Sequence, residues 1–380
     1  MGGTSPIAVR LESATADRMR PWIIGGATTC FVLALVAAGL IMTTTGAPTA
    51  SSSDPGIHIT TLAASPTTEA GSRSGLGASG MQALVSTIGP STVALIMKGQ
   101  HGTWSSLGLV VESGGIIVTP AQTLAGARTI TVVEEDGTRR TGTVVGSDPG
   151  SGLEVIRIPD DLPAATFDDT DPADGTQAVA LSLEEGSRVG APPTPHLYAG
   201  TVVSSGQALP SDQKGGTFAT TTVAAPLSSG DVGCPLLDGS GSVEGLLTSG
   251  EWSGHNELSV FLPAALVEDV AEQLITSGQV VHGWMGIAAG NLPAGAGEAG
   301  AEVDAVSSGG PAADGGIDAD DVITGIDGSR VLSAADFDTR LYAEPPGTAV
   351  TVALDRDGIP ITVSVVLAAS PDASQPSPSP

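Results

Sequence analysis

Short runs rich in β-branched residues recur along most of this chain: 92–97, 107–111, 116–119, 129–133, 142–145 and 153–158, then 177–183, 200–203, 218–223, 243–248 and 258–262. Gly- and Asp-rich turns separate them. Many short strands joined by tight turns must close into a sandwich or barrel, because each strand has a face to bury and each sheet edge needs a partner or a cover. One helical periodicity follows, from Pro263 through Ile275, with Leu266, Val270 and Leu274 four residues apart on one face. Hydrophobic content of 41% supports a sizeable core, but only 3% of residues are aromatic, so Val, Ile, Leu and Ala must fill it. The 380 residues leave room for about two domains and their connections.

The region before the first strand divides into three. Residues 1–21 mix Arg10, Arg18 and Arg20 with Glu12 and Asp17, and predict a cytoplasmic tail. Residues 22–42 carry no charge and predict a transmembrane helix, since a bilayer core needs about 20 apolar residues. A cleaved signal peptide is the competing reading, although its apolar region is shorter, about 7–15 residues. Residues 43–79 are rich in Ser, Thr, Gly and Pro and predict a flexible linker. Everything after the apolar run is then extracytoplasmic, in a single-pass protein of the plasma membrane.

A net charge of −27 argues against nucleic acid, which is bound by replacing phosphate counterions with Lys and Arg. The two cysteines, Cys30 in the apolar run and Cys234 far beyond it, fall on opposite sides of a membrane surface, which disfavours a disulfide between them. Neither has metal-ligand spacing. The acidic groups Glu134-Glu135-Asp136 and Asp168-Asp169-Thr170-Asp171 match no calcium-loop pattern, so no metal and no cofactor is expected.

The chemistry centres on Leu227-Ser228-Ser229-Gly230-Asp231-Val232-Gly233-Cys234-Pro235-Leu236. This stretch resembles the nucleophile loop of trypsin-like serine proteases, with Val232 where the serine stands. Gly115-Ile116-Ile117-Val118-Thr119-Pro120-Ala121-Gln122 is similar to the segment that carries the histidine, with Gln122 in its place. Gly146-Ser147-Asp148-Pro149-Gly150-Ser151-Gly152-Leu153-Glu154-Val155-Ile156 is similar to the aspartate segment, with Gly152 in the slot. Together these motifs resemble the HtrA (high-temperature-requirement) family, which implies a trypsin-like double β-barrel over 80–278. The triad needs an attacking hydroxyl, a base to take its proton and a carboxylate to orient the base. Valine, glutamine and glycine supply none of these. The backbone amides of Gly230 and Val232 are the residues from which an oxyanion pocket would be built. A substitute nucleophile is conceivable at Cys234, but no histidine occupies the matching slot; His101, His196, His255 and His282 are expected in exposed loops or the connector.

Residues 283–367 have another rhythm: 303–306, Gly309-Gly310-Pro311-Ala312-Ala313, then 320–328, a helix over 333–343 and a hairpin turning at Asp357-Gly358. This segment resembles a circularly permuted bacterial PDZ domain, here placed at 280–367, an α+β unit ahead of a Pro/Ser-rich tail over 368–380. The resemblance implies that Trp284, Met285, Gly286 and Ile287 form the carboxylate-binding loop and that Phe337, Arg340 and Leu341 line the side-chain pocket. A PDZ domain binds an extended peptide by adding it to a sheet edge. The expectation is therefore a mainly β, membrane-anchored HtrA-like pseudoprotease that binds protein C-termini or extended peptides, as adaptor or regulator in envelope protein quality control. Two alternatives stay open: an active serine-type endopeptidase of the envelope, and an assembly subunit that pairs with itself or with an active homologue.

Overall fold

The computed structural model describes residues 58–60, 78–184, 192–208, 218–251, 258–293 and 299–369. The expected transmembrane helix at 22–42, the cytoplasmic tail, His255 and most of the C-terminal tail lie outside them. Among the described residues no helix is long and apolar enough to cross a membrane.

Strands Thr92–Gly99, Thr103–Glu112, Ile116–Pro120, Leu153–Arg157, Arg139–Asp148 and Ala127–Val133 hydrogen-bond in that order into a closed barrel. Their alternate side chains meet inside it: Leu95, Met97, Val110, Ile117, Val132 and Ile156 are all buried. The second barrel runs Thr194–Ala208, Ala219–Ala224, Leu258–Pro263, Val243–Glu251, Pro235–Leu237 and Gln177–Glu184, and the last pairs back onto the first. Closure removes the sheet edges that such short strands would otherwise expose.

Two helices brace the barrels. Helix α1, Ala78–Ile88, stands where the strand pattern predicts no element, although Met81, Leu84, Val85 and Ile88 carry the helical period, and Leu84 and Ile88 are buried. Helix α2, Ala264–Ser277, presents Leu266, Val270 and Leu274 to the core as expected. It stops at Gly278, whose left-handed backbone (φ 75°) lets its N–H return to the Leu274 carbonyl at 3.0 Å. Two other departures concern the second barrel. The strand Thr194–Ala208 is far longer than the 200–203 run and takes in His196, which leaves its expected loop and pairs opposite Ser182. The predicted linker is also interrupted: the backbone of His58–Thr60 runs parallel to His196–Tyr198.

The third module is a sheet ordered Ile287–Asn291, Ala301–Val306, Val322–Ile326, Ala349–Arg356 and Ile359–Val366. It is covered by helix α3, Pro311–Gly315, and helix α4, Ala334–Tyr342. Ser333 caps α4 through its hydroxyl, which accepts from the Asp336 amide at 3.1 Å. Asp357 and Gly358 both take positive φ, 54° and 81°, as a two-residue hairpin turn of this hand requires.

The third module is fastened to the barrels through α4. The Tyr342 hydroxyl donates to Asp148 Oδ2 at 2.9 Å, its ring meets Phe218 edge-on at 4.6 Å, and its carbonyl is bonded to His282 Nδ1 at 2.7 Å. His282 is therefore packed against a tyrosine rather than free in a connector. Burial and the neighbouring Asp148 carboxylate push the Tyr342 phenol up, so it stays a donor at any ordinary pH. Tyr342→Phe is expected to cost about 1.5–3 kcal/mol, the range for a hydrogen bond to a charged group, read as a lower urea midpoint with an unchanged slope.

Candidate functional site

The groove between the two barrels is built from ends of strands and the turns beyond them. Strand Ile116–Pro120 ends in a tight turn, Ala121–Thr123, that delivers Gln122 to the groove. The loop before Pro235–Leu237 delivers Val232 from the other barrel. Both line a cleft of about 360 Å³ whose wall is completed by Trp104, Thr248, Ser249 and Gly250. Gly152 is held beside the first turn, its carbonyl accepting from the Ala121 amide at 2.7 Å. The fold thus brings Gln122 and Val232 to one cleft and holds Gly152 against the turn that carries Gln122.

None of these three residues carries a side-chain group that titrates near neutral pH. Val232 is 6% exposed, and its carbonyl accepts from the Leu107 amide and the Ser106 hydroxyl, each at 2.9 Å. Gln122 Nε2 donates across the cleft to the Thr248 carbonyl, so the amide bridges the two walls. Gly152 has φ 68°, and a Cβ there would meet open space. The side chains lining this cleft, among the described residues, include no acid, no histidine, no lysine, no arginine and no cysteine. General acid–base catalysis needs a group that changes protonation near working pH, and the described residues lining this cleft include none.

The loop after strand Ala219–Ala224 is tied to itself. Ser228 Oγ accepts from the Gly230 amide at 3.3 Å, and the Asp231 carboxylate accepts from the Ser228 amide at 2.8 Å and the Ser228 hydroxyl at 2.6 Å. The Gly230 amide expected to face an oxyanion is engaged within its own turn. Cys234, the conceivable substitute nucleophile, is fully buried among Leu236, Leu247 and Phe261. Burial pushes its thiol well above the ordinary value. His196 sits 3.1 Å from Glu184 and stacks on Tyr198, away from the cleft lining.

The second candidate surface lies on the third module. Strand Ile287–Asn291 is the end strand of its sheet and, among the described residues, pairs only with Ala301–Val306, which leaves an edge beside α4. At the head of this strand Gly286 has φ 86°, and its carbonyl accepts from the Ser307 amide at 2.8 Å. A Cβ at Gly286 would stand 3.3 Å from the Trp284 ring on backbone that only glycine adopts freely. Ile287 is half-buried, whereas Met285, Phe337 and Leu341 belong to the module's hydrophobic core. Arg340 does not reach the edge strand: its guanidinium is taken by Asp171 of the barrels and, at 3.0 Å, by Asp336 one turn back on α4. A guanidinium moves to the carboxylates that compensate its burial, and no local signal around Arg340 marks Asp171 as its neighbour.

Known proteins share this architecture. Residues 106–246 match the trypsin-like peptidase domain and residues 283–367 match the PDZ domain. A "Probable periplasmic serine endoprotease DegP-like" of Pseudomonas fulva is 30% identical over 282 residues, 70% of this chain and 56% of that protein. Its counterpart in Chlamydia trachomatis is 30% identical over 275 residues, 68% of this chain and 54% of that protein. The chain therefore spans little more than half the length of these curated relatives. A solved structure of an HtrA-type protease, AlgW with tripeptide, superposes with a TM-score of 0.52 at 24% identity, covering 76% of this chain and 97% of that one; at that identity it speaks for the fold. The class defined by fold and groove is a trypsin-like peptidase domain followed by a PDZ domain. Within that class the chain is an HtrA-like protein.

Proposed function

We propose that this chain is an extracytoplasmic HtrA-like pseudoprotease, anchored to the plasma membrane by residues 22–42, that binds protein C-termini or extended peptides through its PDZ domain. What supports the first half is the cleft: the motif resemblance assigns Val232, Gln122 and Gly152 to the nucleophile, base and orienting-acid positions, and the described residues lining the cleft include no acid, histidine, lysine, arginine or cysteine. The second half is supported by the open edge of Ile287–Asn291 among the described strands and the left-handed Gly286 at its head. An edge of this kind recognises main chain, so its ligand class is an extended peptide. The periplasmic naming of the relatives and the uncharged run at 22–42 both support an extracytoplasmic location.

Binding of a C-terminal peptide library to the full chain tests this reading. Gly286→Trp, checked for an unchanged melting curve, is expected to weaken every captured peptide at least about tenfold, or ~1.4 kcal/mol. Peptides bound equally by that variant would show that the edge strand is not the working surface. The endopeptidase reading draws on the names of the relatives and predicts turnover of an unfolded protein substrate.

A further inference from the structure

Between the second barrel and the PDZ domain lies a small cavity of about 110 Å³, lined by Asp169, Asp171, Asp269, Asp336, Glu344 and Arg340, among others. Opposed carboxylates line it. From the barrels, the loop at 168–171 supplies Asp169 and Asp171 and α2 supplies Asp269, with Asp168, Glu268 and Glu272 near this group but outside the lining. Behind the lining, Glu244 of strand Val243–Glu251 and Asp238 in the turn before it act on the same group through Asp171. From the PDZ side come Asp336 of α4, then Asp327 and Glu344; Asp338, also on α4, is shifted by burial alone. Arg340 is the sole cation among the described residues lining the cavity, and it is shared between Asp171 and Asp336. The same helix face is held to the barrels by neutral contacts: Ser333 Oγ donates to the Gly206 carbonyl and Thr339 Oγ1 accepts from the Ala219 amide at 2.7 Å.

We propose that this interface is a proton-operated clasp: lowering the pH fastens α4 and the PDZ domain onto the double barrel, and raising it loosens them. One guanidinium cannot compensate so many carboxylates brought together away from water, so the docked arrangement favours proton uptake. Burial, then Asp336, raises Asp171 to about 6 even with Arg340 bonded to it. Burial, then Glu344 and Asp169, raises Asp269 to about 6. Burial, then Asp169, raises Glu268 to about 7. Asp336 and Glu344 shift the same way, burial again leading. Undocked, Asp171 loses Asp336 and Asp269 loses Glu344, and both carboxyls return towards ordinary values near 4, so docking binds protons between about pH 6 and about pH 4; the charges acting on Glu268 belong to the barrels in either state. The electrostatic penalty is full above that window and relieved as the pH falls through it. The clasp is independent of what the PDZ edge binds and of whether the cleft is catalytic.

Hydrogen–deuterium exchange of the full chain, in mild detergent, from pH 5 to pH 8 and corrected for the intrinsic pH dependence of exchange, tests the clasp. Protection of residues 334–342 is expected to be at least about tenfold greater at pH 5 than at pH 8, while strand Thr92–Gly99 changes less than about twofold. In the double variant Asp171→Asn, Asp269→Asn the pH-8 protection of α4 should approach the natural pH-5 value. If that variant does not fold, Glu344→Gln, at a less buried position facing Asp269, should reduce the pH ratio instead. A pH-independent α4, a ratio unchanged in the neutralised variants, or an equal change in Thr92–Gly99 would overturn the clasp.

Discussion

Incubated with an unfolded generic protein, the purified chain is expected to leave it intact, at the rate of buffer alone. Losing a whole Ser-His-Asp triad costs on the order of a million-fold in subtilisin, and what survives there comes from oxyanion and binding effects. In this cleft even that remainder is diminished. The Gly230 amide is engaged by Ser228 Oγ, and Gln122 spans the cleft to the Thr248 carbonyl. Ser106 and Ser229 line the cleft, but a hydroxyl without a base is not a nucleophile at neutral pH. Cleavage above the blank that disappears in Ser106→Ala or Ser229→Ala would overturn the pseudoprotease reading. Running Gln122→His, Gly152→Asp, Val232→Ser alongside gauges how far the scaffold has drifted. Its Gly152→Asp member must sit at φ 68°, a region aspartate tolerates better than most residues and which Asp320, Asp327 and Asp357 adopt in this chain. The triple variant is therefore expected to fold and to exceed the natural chain in cleavage while remaining far below an intact enzyme, because the oxyanion turn stays self-capped.

Gly233→Ala should be among the most destabilising single-methyl changes available. Gly233 follows Val232 with φ 90°, and an added Cβ would stand 2.1 Å from the Leu107 carbonyl oxygen. That oxygen belongs to strand Thr103–Glu112 of the other barrel and already accepts from Thr119 Oγ1 at 2.8 Å, so it cannot retreat without breaking a buried bond. Backbone strain of about 1–3 kcal/mol and overpacking of about 1–3 kcal/mol add, giving about 2–6 kcal/mol. A urea midpoint within error of the natural chain would mean that the loop does not hold this close approach in solution. The same contact gives Gly233 a structural role apart from any catalysis: the residue is required to seat one barrel against the other.

Much of this molecule is present in local sequence. The alternating Val/Ile/Leu runs place the barrel strands because period-two patterning selects which face is buried, and Asp357-Gly358 places its hairpin because few residue pairs accept positive φ twice in succession. The flanks of Gln122, Gly152 and Val232 mark the cleft for the same reason: strand, turn and glycine are short-range requirements. Helix α1 is equally legible at Met81, Leu84, Val85 and Ile88, but its period is short and adjoins a Ser/Gly-rich stretch that reads as linker. What local sequence does not contain is the partner of a side chain when that partner is distant along the chain. Arg340 reads as a peptide-pocket residue on α4, yet it is claimed by Asp171; Tyr342 carries no local signal, yet it ties Asp148 to Phe218 and His282. Patterning and turn chemistry act over a few residues, and they determined the barrels, the PDZ sheet and the turns that line the cleft. Desolvation and Coulomb forces act through space, and only the docking of α4 on the barrels decided which carboxylates share one guanidinium and what becomes of their protons.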